Sequence, residues 1–435
     1  MNTLMRNPTY LKLLAAQIVA LSGTGLLTVG LGLLAYDLAG SQAGAVLGIA
    51  YTIKMVAYVG LSPIAQALAS RLPRKAVLIG ADLLRAAVAL ALPFVDALWQ
   101  VYVLIFLLQA ASATFTPAYQ ALLPDVLPDE EEYTRALSLS RLCYDLENLT
   151  SPALAGLLLS VVSYSGLFVG TVIGFLGSAV LVLVAVLPVV KVDQKAGFVE
   201  RATKGLRIYL ATPRLRGLLA VTLAGAAASA FVLVNTVVMV RVGYSGSERG
   251  LAVAMAAFGA GSMVVALALP GVLKRVSDRS VMLGATLALV ALMAVLAVWF
   301  RAELPSWWAF LLLWAGIGGL YSGILTPSGR LIRRSGASAD LPALFAAHFA
   351  LSHVCWLITY PLAGWTGARL GMGAAMGLLA VLALGGLIAA MLLWHKEVAH
   401  QHPELSEDDP HMQANGGMRT HAHPRVRDAL HPRWS

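Results

Sequence analysis

The sequence predicts an all-α membrane protein of twelve membrane-spanning helices arranged as two groups of six. Three observations predict it. Twelve apolar stretches run through the chain, each near the ~20 residues that cross a bilayer as a helix. Their approximate spans are residues 11–36, 43–68, 76–95, 98–122, 135–160, 164–190, 214–241, 247–272, 280–300, 304–328, 339–367 and 370–394. The Lys and Arg residues crowd into every second connection: with the N-terminus inside, 24 of the 31 lie in cytoplasmic segments and three within helices. Only Arg241, Arg249, Arg301 and Arg369 fall outside. By the positive-inside rule both ends are then cytoplasmic. Third, the longest internal polar connection, residues 191–213, divides the spans six and six.

Composition excludes a soluble domain. The chain is 59% hydrophobic and 12% charged, with a mean hydropathy of +0.77, against the roughly 25% charged residues of soluble proteins. A net charge of +9 invites a nucleic-acid reading. However, the basic residues sit in short loops beside spans, where topology and anionic headgroups account for them. The first apolar run is too long for a signal h-region and lacks a small-residue cleavage site, so it reads as a retained first helix. Cys143 and Cys355 fall in different spans and read as apolar packing residues rather than a disulfide.

The two groups of six share punctuation. Thr116-Pro117 lies late in span 4 and Thr326-Pro327 late in span 10. Span 5 has Pro152 then Gly156; span 11 has Pro361 then Gly364. The basic loop Arg71-Leu-Pro-Arg74-Lys75 after span 2 is matched by Lys274-Arg275-Val-Ser-Asp278-Arg279 after span 8. The shared order suggests a parallel six-helix repeat, which places a transport site near the midplane between the halves. The expected units are 1–190, the linker 191–213, 214–394 and a tail 395–435. The tail is polar, Pro-interrupted and expected to be cytoplasmic and disordered.

Ionisable groups within spans are costly and need partners or water. Span 5 carries Arg141, Asp145 and Glu147; helical spacing puts Arg141 and Asp145 on one face, with Glu147 some 200° from Asp145. Either they form a structural ion pair, or Asp145 and Glu147 bind and release a proton during a cycle. Lys54 sits mid-span, about 15 Å from water in either direction, and should find a carboxylate, Asp145 or Glu147. Gln17, Thr24 and Thr28 form one stripe on span 1; Gln109 and Asn235 add amides in spans 4 and 7. These line a substrate path or join helices. In span 11 His348 and His353 lie about 140° apart, a poor chelate, and either could relay protons or be structural. The tail contains His400-x-His402, His411 and His421-x-His423, and neutral imidazole suits nickel, copper or zinc. Asp129, Glu130, Glu131 and Glu132 before span 5 read as first-turn acids complementing the helix dipole, or as a patch for metal delivery from the tail. There is no phosphate-binding loop, nucleophile elbow or His-Glu-x-x-His motif, hence no enzyme and no cofactor.

These features resemble the major facilitator superfamily over residues 1 to about 394. After span 2 that family carries a Gly-x3-Asp-Arg-x-x-Arg-Arg type motif; here the stretch runs Gln66-Ala-Leu-Ala-Ser70-Arg71-Leu-Pro-Arg74-Lys75, with Gln66 for the Gly and Ser70 for the Asp. Asp82-Leu-Leu-Arg85-Ala, Thr116-Pro117-Ala-Tyr-Gln-Ala-Leu-Leu-Pro124 and Arg135-Ala-Leu-Ser resemble the bacterial exporter branch that includes the enterobactin exporter. Ser151-Pro152-x3-Gly156 is similar to the Gly-Pro motif of antiporters. The His-rich tail is similar to that of nickel-resistance exporters. The resemblance implies a monomeric, proton-driven secondary exporter of the bacterial inner membrane. Its substrate would be a drug, siderophore or metal ion, moved by alternating access. It also implies a cytoplasmic gate built from Arg71, Arg74, Lys75, Asp82 and Arg85. A competing reading is a non-transporting membrane sensor whose tail reads metal; neutralising Asp145 and Glu147 would disable the exporter and spare the sensor.

Overall fold

In a lipid interior every backbone amide needs a partner within its own segment, so apolar stretches of this length must coil into helices. The computed structural model describes residues 4–39, 43–188, 197–245, 248–337, 339–394, 399–401 and 420–422. The first half comprises α1 (Pro8–Ala39), α2 (Ala43–Ala69), α3 (Arg74–Ala91), α4 (Leu98–Val126), α5 (Glu130–Leu159) and α6 (Tyr164–Val184). A linker helix follows, α7 (Phe198–Ala211). The second half comprises α8 (Pro213–Val238), α9 (Glu248–Val272), α10 (Asp278–Ala302), α11 (Trp307–Leu325), the short α12 (Ser328–Arg333), α13 (Leu341–Leu370) and α14 (Met372–Leu393). Helix ends follow local chemistry. Asp129 accepts a hydrogen bond from the Glu132 amide to start α5, Ser277 does the same for α10, and Pro213 opens α8. Gly371, with φ of 84°, makes the sharp turn from α13 to α14 that a side chain would resist.

Among the described residues, eleven helices are long and apolar enough to cross a membrane. The twelfth long helix, α5, is the one carrying Arg141, Asp145 and Glu147. The linker expected over 191–213 contains a helix at 198–211, because its apolar residues recur at helical spacing within a polar segment.

The packing repeats. In the first half α1 packs on α6 and α5, α3 on α6 and α4, and α2 on α4. In the second, α8 packs on α14 and α13, α10 on α14 and α11, and α9 on α11. These are the same pairings six spans later. The halves meet through α5 against α9, α2 against α13, and α4 against α13. Small residues permit the tightest crossing: a Cβ on Gly261 would stand 1.8 Å from the Ala315 carbonyl, and one on Gly318 1.9 Å from that of Phe258. The second half has an aromatic core in which Phe310 and Trp314 rings lie 4.0 Å apart and Trp314 donates to Thr236 at 2.8 Å. Leu157, Val298 and Leu312 stand exposed around the perimeter, as lipid-facing residues do.

The Lys- and Arg-rich connections gather at one end of the bundle with the start of α1 and the end of α14. There Asn7 donates to the Val126 carbonyl, Thr9 to Val186, and Arg279 to Trp394. Of the tail, Ala399–Gln401 pairs antiparallel with Thr420–Ala422. The expectation of disorder for the rest of 395–435 lies outside the described residues.

Candidate functional site

Arg141 lies about 17 Å along α5 and Asp145 one turn further. Both are therefore well inside the bundle, at the seam between the halves. The two form an ion pair, with Arg141 Nη2 2.8 Å from Asp145 Oδ1 and Nε 3.3 Å from Oδ2. The same Nε donates to Ser262 of α9 at 3.1 Å, and the guanidinium sits 4.8 Å over the Tyr321 ring of α11. Asp145 is 4% exposed. A charged pair made within one half is thus wired directly to the other half. Tyr321 extends the connection to Ser229 of α8, which accepts from the Trp356 indole of α13 at 3.0 Å.

From Trp356 the seam continues as an aromatic wall. His353 packs in tilted contact with Phe349 and Trp356, and Tyr58 of α2 meets His353 edge-on with centroids 4.7 Å apart. Lys54 Nζ lies 5.6 Å from the centre of the Tyr58 ring, a cation–π distance. His353 Nδ1 is held 2.6 Å from the Phe349 carbonyl. Arg141, Asp145, Lys54 and His353 therefore belong to one interfacial surface built from α2, α5 and α13. Glu147 is half-buried two residues beyond Asp145.

The other sequence candidates scatter. Gln17 is buried and accepts from Tyr119 at 3.2 Å and Ser140 at 3.0 Å, inside the first half. Thr24 and Thr28 bond back to the Ala20 and Thr24 carbonyls, with Thr28 exposed at the far end of the same stripe. Gln109 is half-buried on α4. Asn235 joins α8 to α13 through the Ala363 carbonyl at 3.2 Å. His348 Nδ1 meets the Tyr209 hydroxyl of α7 at 2.9 Å, outside the seam. His400 stands opposite His421 in the ribbon register; His402, His411 and His423 lie outside the described residues.

The residues expected at a gate are arranged differently from that expectation. Asp82 and Arg85 pair with each other deep between α3, α4 and α6. Ser178 donates to Asp82 at 2.7 Å, and Arg85 lies between the Phe115 and Phe175 rings at 4.3 and 4.5 Å. Arg74 pairs with Asp125, Lys75 donates to the Ala185 carbonyl, and Arg71 is exposed. The described partners of Arg74, Lys75, Asp82 and Arg85 all lie within the first half.

What closes the basic end across the halves is a cluster that reading the sequence missed. Glu130 at the start of α5 pairs with Arg330 at 2.7 Å and Arg334 at 2.5 Å, and Glu131 pairs with Lys274 at 2.7 Å. Asp278, 5% exposed, anchors the same arginines at 3.4 and 2.8 Å from within the second half. Arg333 reaches the Pro128 carbonyl. Burial works to raise the Glu130 carboxyl. The Arg334 hydrogen bond and the charges of Arg334, Arg330 and Arg333 outweigh it and hold Glu130 below the ordinary glutamate value. Glu131 is also held low, chiefly by Lys274. A signal was available. The acidic 130–132 and basic 330–334 segments lie in the connections that follow spans 4 and 10, so opposite charges gather in equivalent connections of the two halves.

With twelve long helices in two repeated sixes and a polar seam between them, comparison with known proteins is direct. A profile described as Major Facilitator Superfamily matches residues 13–295, well over half of the chain. The chain belongs to the Major Facilitator Superfamily. It is thus a multi-pass membrane protein of a transporter family rather than an enzyme family. Macrolide efflux protein A of Streptococcus pyogenes is 30% identical over 148 residues, 33% of this chain and 36% of that protein. The Enterococcus faecalis protein of the same name is 31% identical over 136 residues, 30% of this chain and 42% of that one. The alignments thus span well under half of these relatives. Among solved structures, the human organic anion transporter MFSD10 superposes with a TM-score of 0.73 at 12% identity, covering 89% of this chain and 99% of that one. A bacterial homologue of the iron transporter ferroportin in an outward-facing state gives 0.69 at 15%, covering 89% and 98%. These likenesses concern the fold.

Proposed function

We propose that this protein is a proton-coupled exporter of small amphipathic molecules in the bacterial inner membrane, acting as a monomer with both ends in the cytoplasm. The observation carrying this reading is that Arg141 bonds Asp145 in its own half and Ser262 in the other. Protonating Asp145 would remove the counter-charge of Arg141 and change a cross-seam hydrogen bond in the same event. That is the link between proton binding and rocking that an antiporter requires. The conformation described is closed at the basic, cytoplasmic end, so the cavity would open outward. The aromatic wall of Tyr58, Phe349, His353 and Trp356 suits a bulky, partly apolar substrate. The shared segment with macrolide efflux proteins supports a substrate of that kind over a siderophore.

The test is transport in proteoliposomes under an imposed pH gradient, with a macrolide, a cationic dye and nickel offered separately. Asp145→Asn should abolish gradient-driven accumulation yet retain substrate exchange at equilibrium. Full gradient-driven transport by Asp145→Asn would refute the assignment of the proton site. One observation favours a second reading, metal delivery by the tail: the ribbon sets His400 opposite His421. Nickel transport that weakens on truncation at His395 would establish it. A protein that moves none of the three, and signals metal through its tail instead, would be the sensor.

A further inference from the structure

The linker helix α7 has three faces of different chemistry. Arg201, Gly205 and Tyr209, at i, i+4 and i+8, turn to the protein and are buried. The approach is close: a Cβ on Gly205 would lie 2.0 Å from the Ala343 carbonyl of α13, and the Tyr209 hydroxyl meets His348 at 2.9 Å. Glu200, Lys204 and Arg207, at i, i+4 and i+7, form an exposed polar face, where Lys204 reaches Asp340 at 2.6 Å. The third face is apolar and exposed: Val199 is 68% and Leu210 49% accessible, at i and i+11 on one line.

This stripe is continuous with the lipid-facing perimeter. α7 packs against α2 as well as α13, and α2 ends in Leu68, with Leu72 following, both strongly exposed. A helix with one side on protein, one apolar side open and one basic edge fits the boundary between headgroups and acyl chains. We propose that α7 is a lipid-binding helix at the membrane surface. Val199 and Leu210 enter the acyl layer, and Arg207, beside Lys204, meets the phosphates of anionic phospholipids. α7 touches α2 of one half and α13 of the other, so lipid bound here steadies the two halves in the arrangement described. The proposal rests on membrane embedding alone and does not need the transport reading.

Two measurements test it in the full-length chain. Photo-crosslinkable residues placed at Val199 and Leu210 should label phospholipid in vesicles, whereas one at Glu200 should label it weakly. Second, phosphatidylglycerol should bind more tightly than phosphatidylcholine by native mass spectrometry. Arg207→Gln, at an exposed position, should weaken phosphatidylglycerol binding about fivefold, the factor expected for one basic residue near an anionic surface, and leave phosphatidylcholine unchanged. Equal labelling at Val199, Leu210 and Glu200, equal binding of the two lipids, or a full preference retained by Arg207→Gln would each overturn the proposal.

Discussion

Replacing Glu130 with Gln should open the basic end of the bundle without weakening either half. Glu130 and Arg334 are 41% and 40% exposed, so solvent screens their pair to about 0.5 kcal/mol. The Arg330 side chain is only 13% exposed and lies 2.7 Å from Glu130, which puts that ion pair at the upper end for partly exposed pairs, about 1 kcal/mol. The substitution strands neither arginine, because Asp278 still holds both. The cost is therefore the lost cross-seam attraction alone, about 1.5 kcal/mol, or ~12-fold in the ratio of closed to open. If the open form starts at about 1%, it should rise to about a tenth. Spin labels at the exposed positions Arg71 and Arg275, with Cys143 and Cys355 replaced by Ala, would report the two distances and their populations. Arg330→Gln in the Glu130→Gln background should add little opening, since the pair is already broken. Asp278→Asn is the control: its partners share its own half, so it should lower the thermal stability of that half. A Glu130→Gln protein whose populations shift less than twofold would refute the assignment of this cluster as the closing contact.

Further outcomes follow from the same geometry. Glu130 and Glu131 are held below the ordinary glutamate value, so their contribution to closure is present above that value and lost as pH falls through the lowered one. The label distances should hold steady from pH 8 to about 5 and open only below the ordinary value of about 4.3. Gly318→Ala should destabilise the second half by about 2–3 kcal/mol, since its new methyl meets the Phe258 carbonyl at 1.9 Å; a lowered melting temperature in detergent would record it. Arg141→Lys replaces a planar fork that serves Asp145 and Ser262 together with a single point charge. Gradient-driven transport should fall at least ~10-fold, and Ser262→Ala should cost about fivefold, near 1 kcal/mol for one hydrogen bond.

The sequence alone carried the spans, since their length and apolarity reflect a backbone that must satisfy itself in lipid. Each expected span coincides with a helix, and the polar residues of α5 announced it as the unusual one. The Arg141–Asp145 pair was also legible, because i, i+4 neighbours are fixed by helix geometry. The partners of that pair were not. Ser262 is 121 residues from Arg141, and Arg330 is 200 from Glu130; local spacing says nothing about such separations. Asp82 and Arg85 show the converse. Their closeness to the basic loop in sequence suggested a gate, but the turn of α3 aims them into the first half, against Ser178 and two phenylalanines.

The linker shows where the division falls. Its helical periodicity was present in the residues from Phe198 to Ala211, but the helix could be recognised as docked only once Gly205 met the Ala343 carbonyl. Sequence by itself determined which segments enter lipid and where the charges lie along the chain, because burial and helix spacing are local consequences of residue type. Only the tertiary structure decided which charges face each other. That depends on how the two six-helix halves are set together, and on which of their acidic and basic side chains the seam brings within reach.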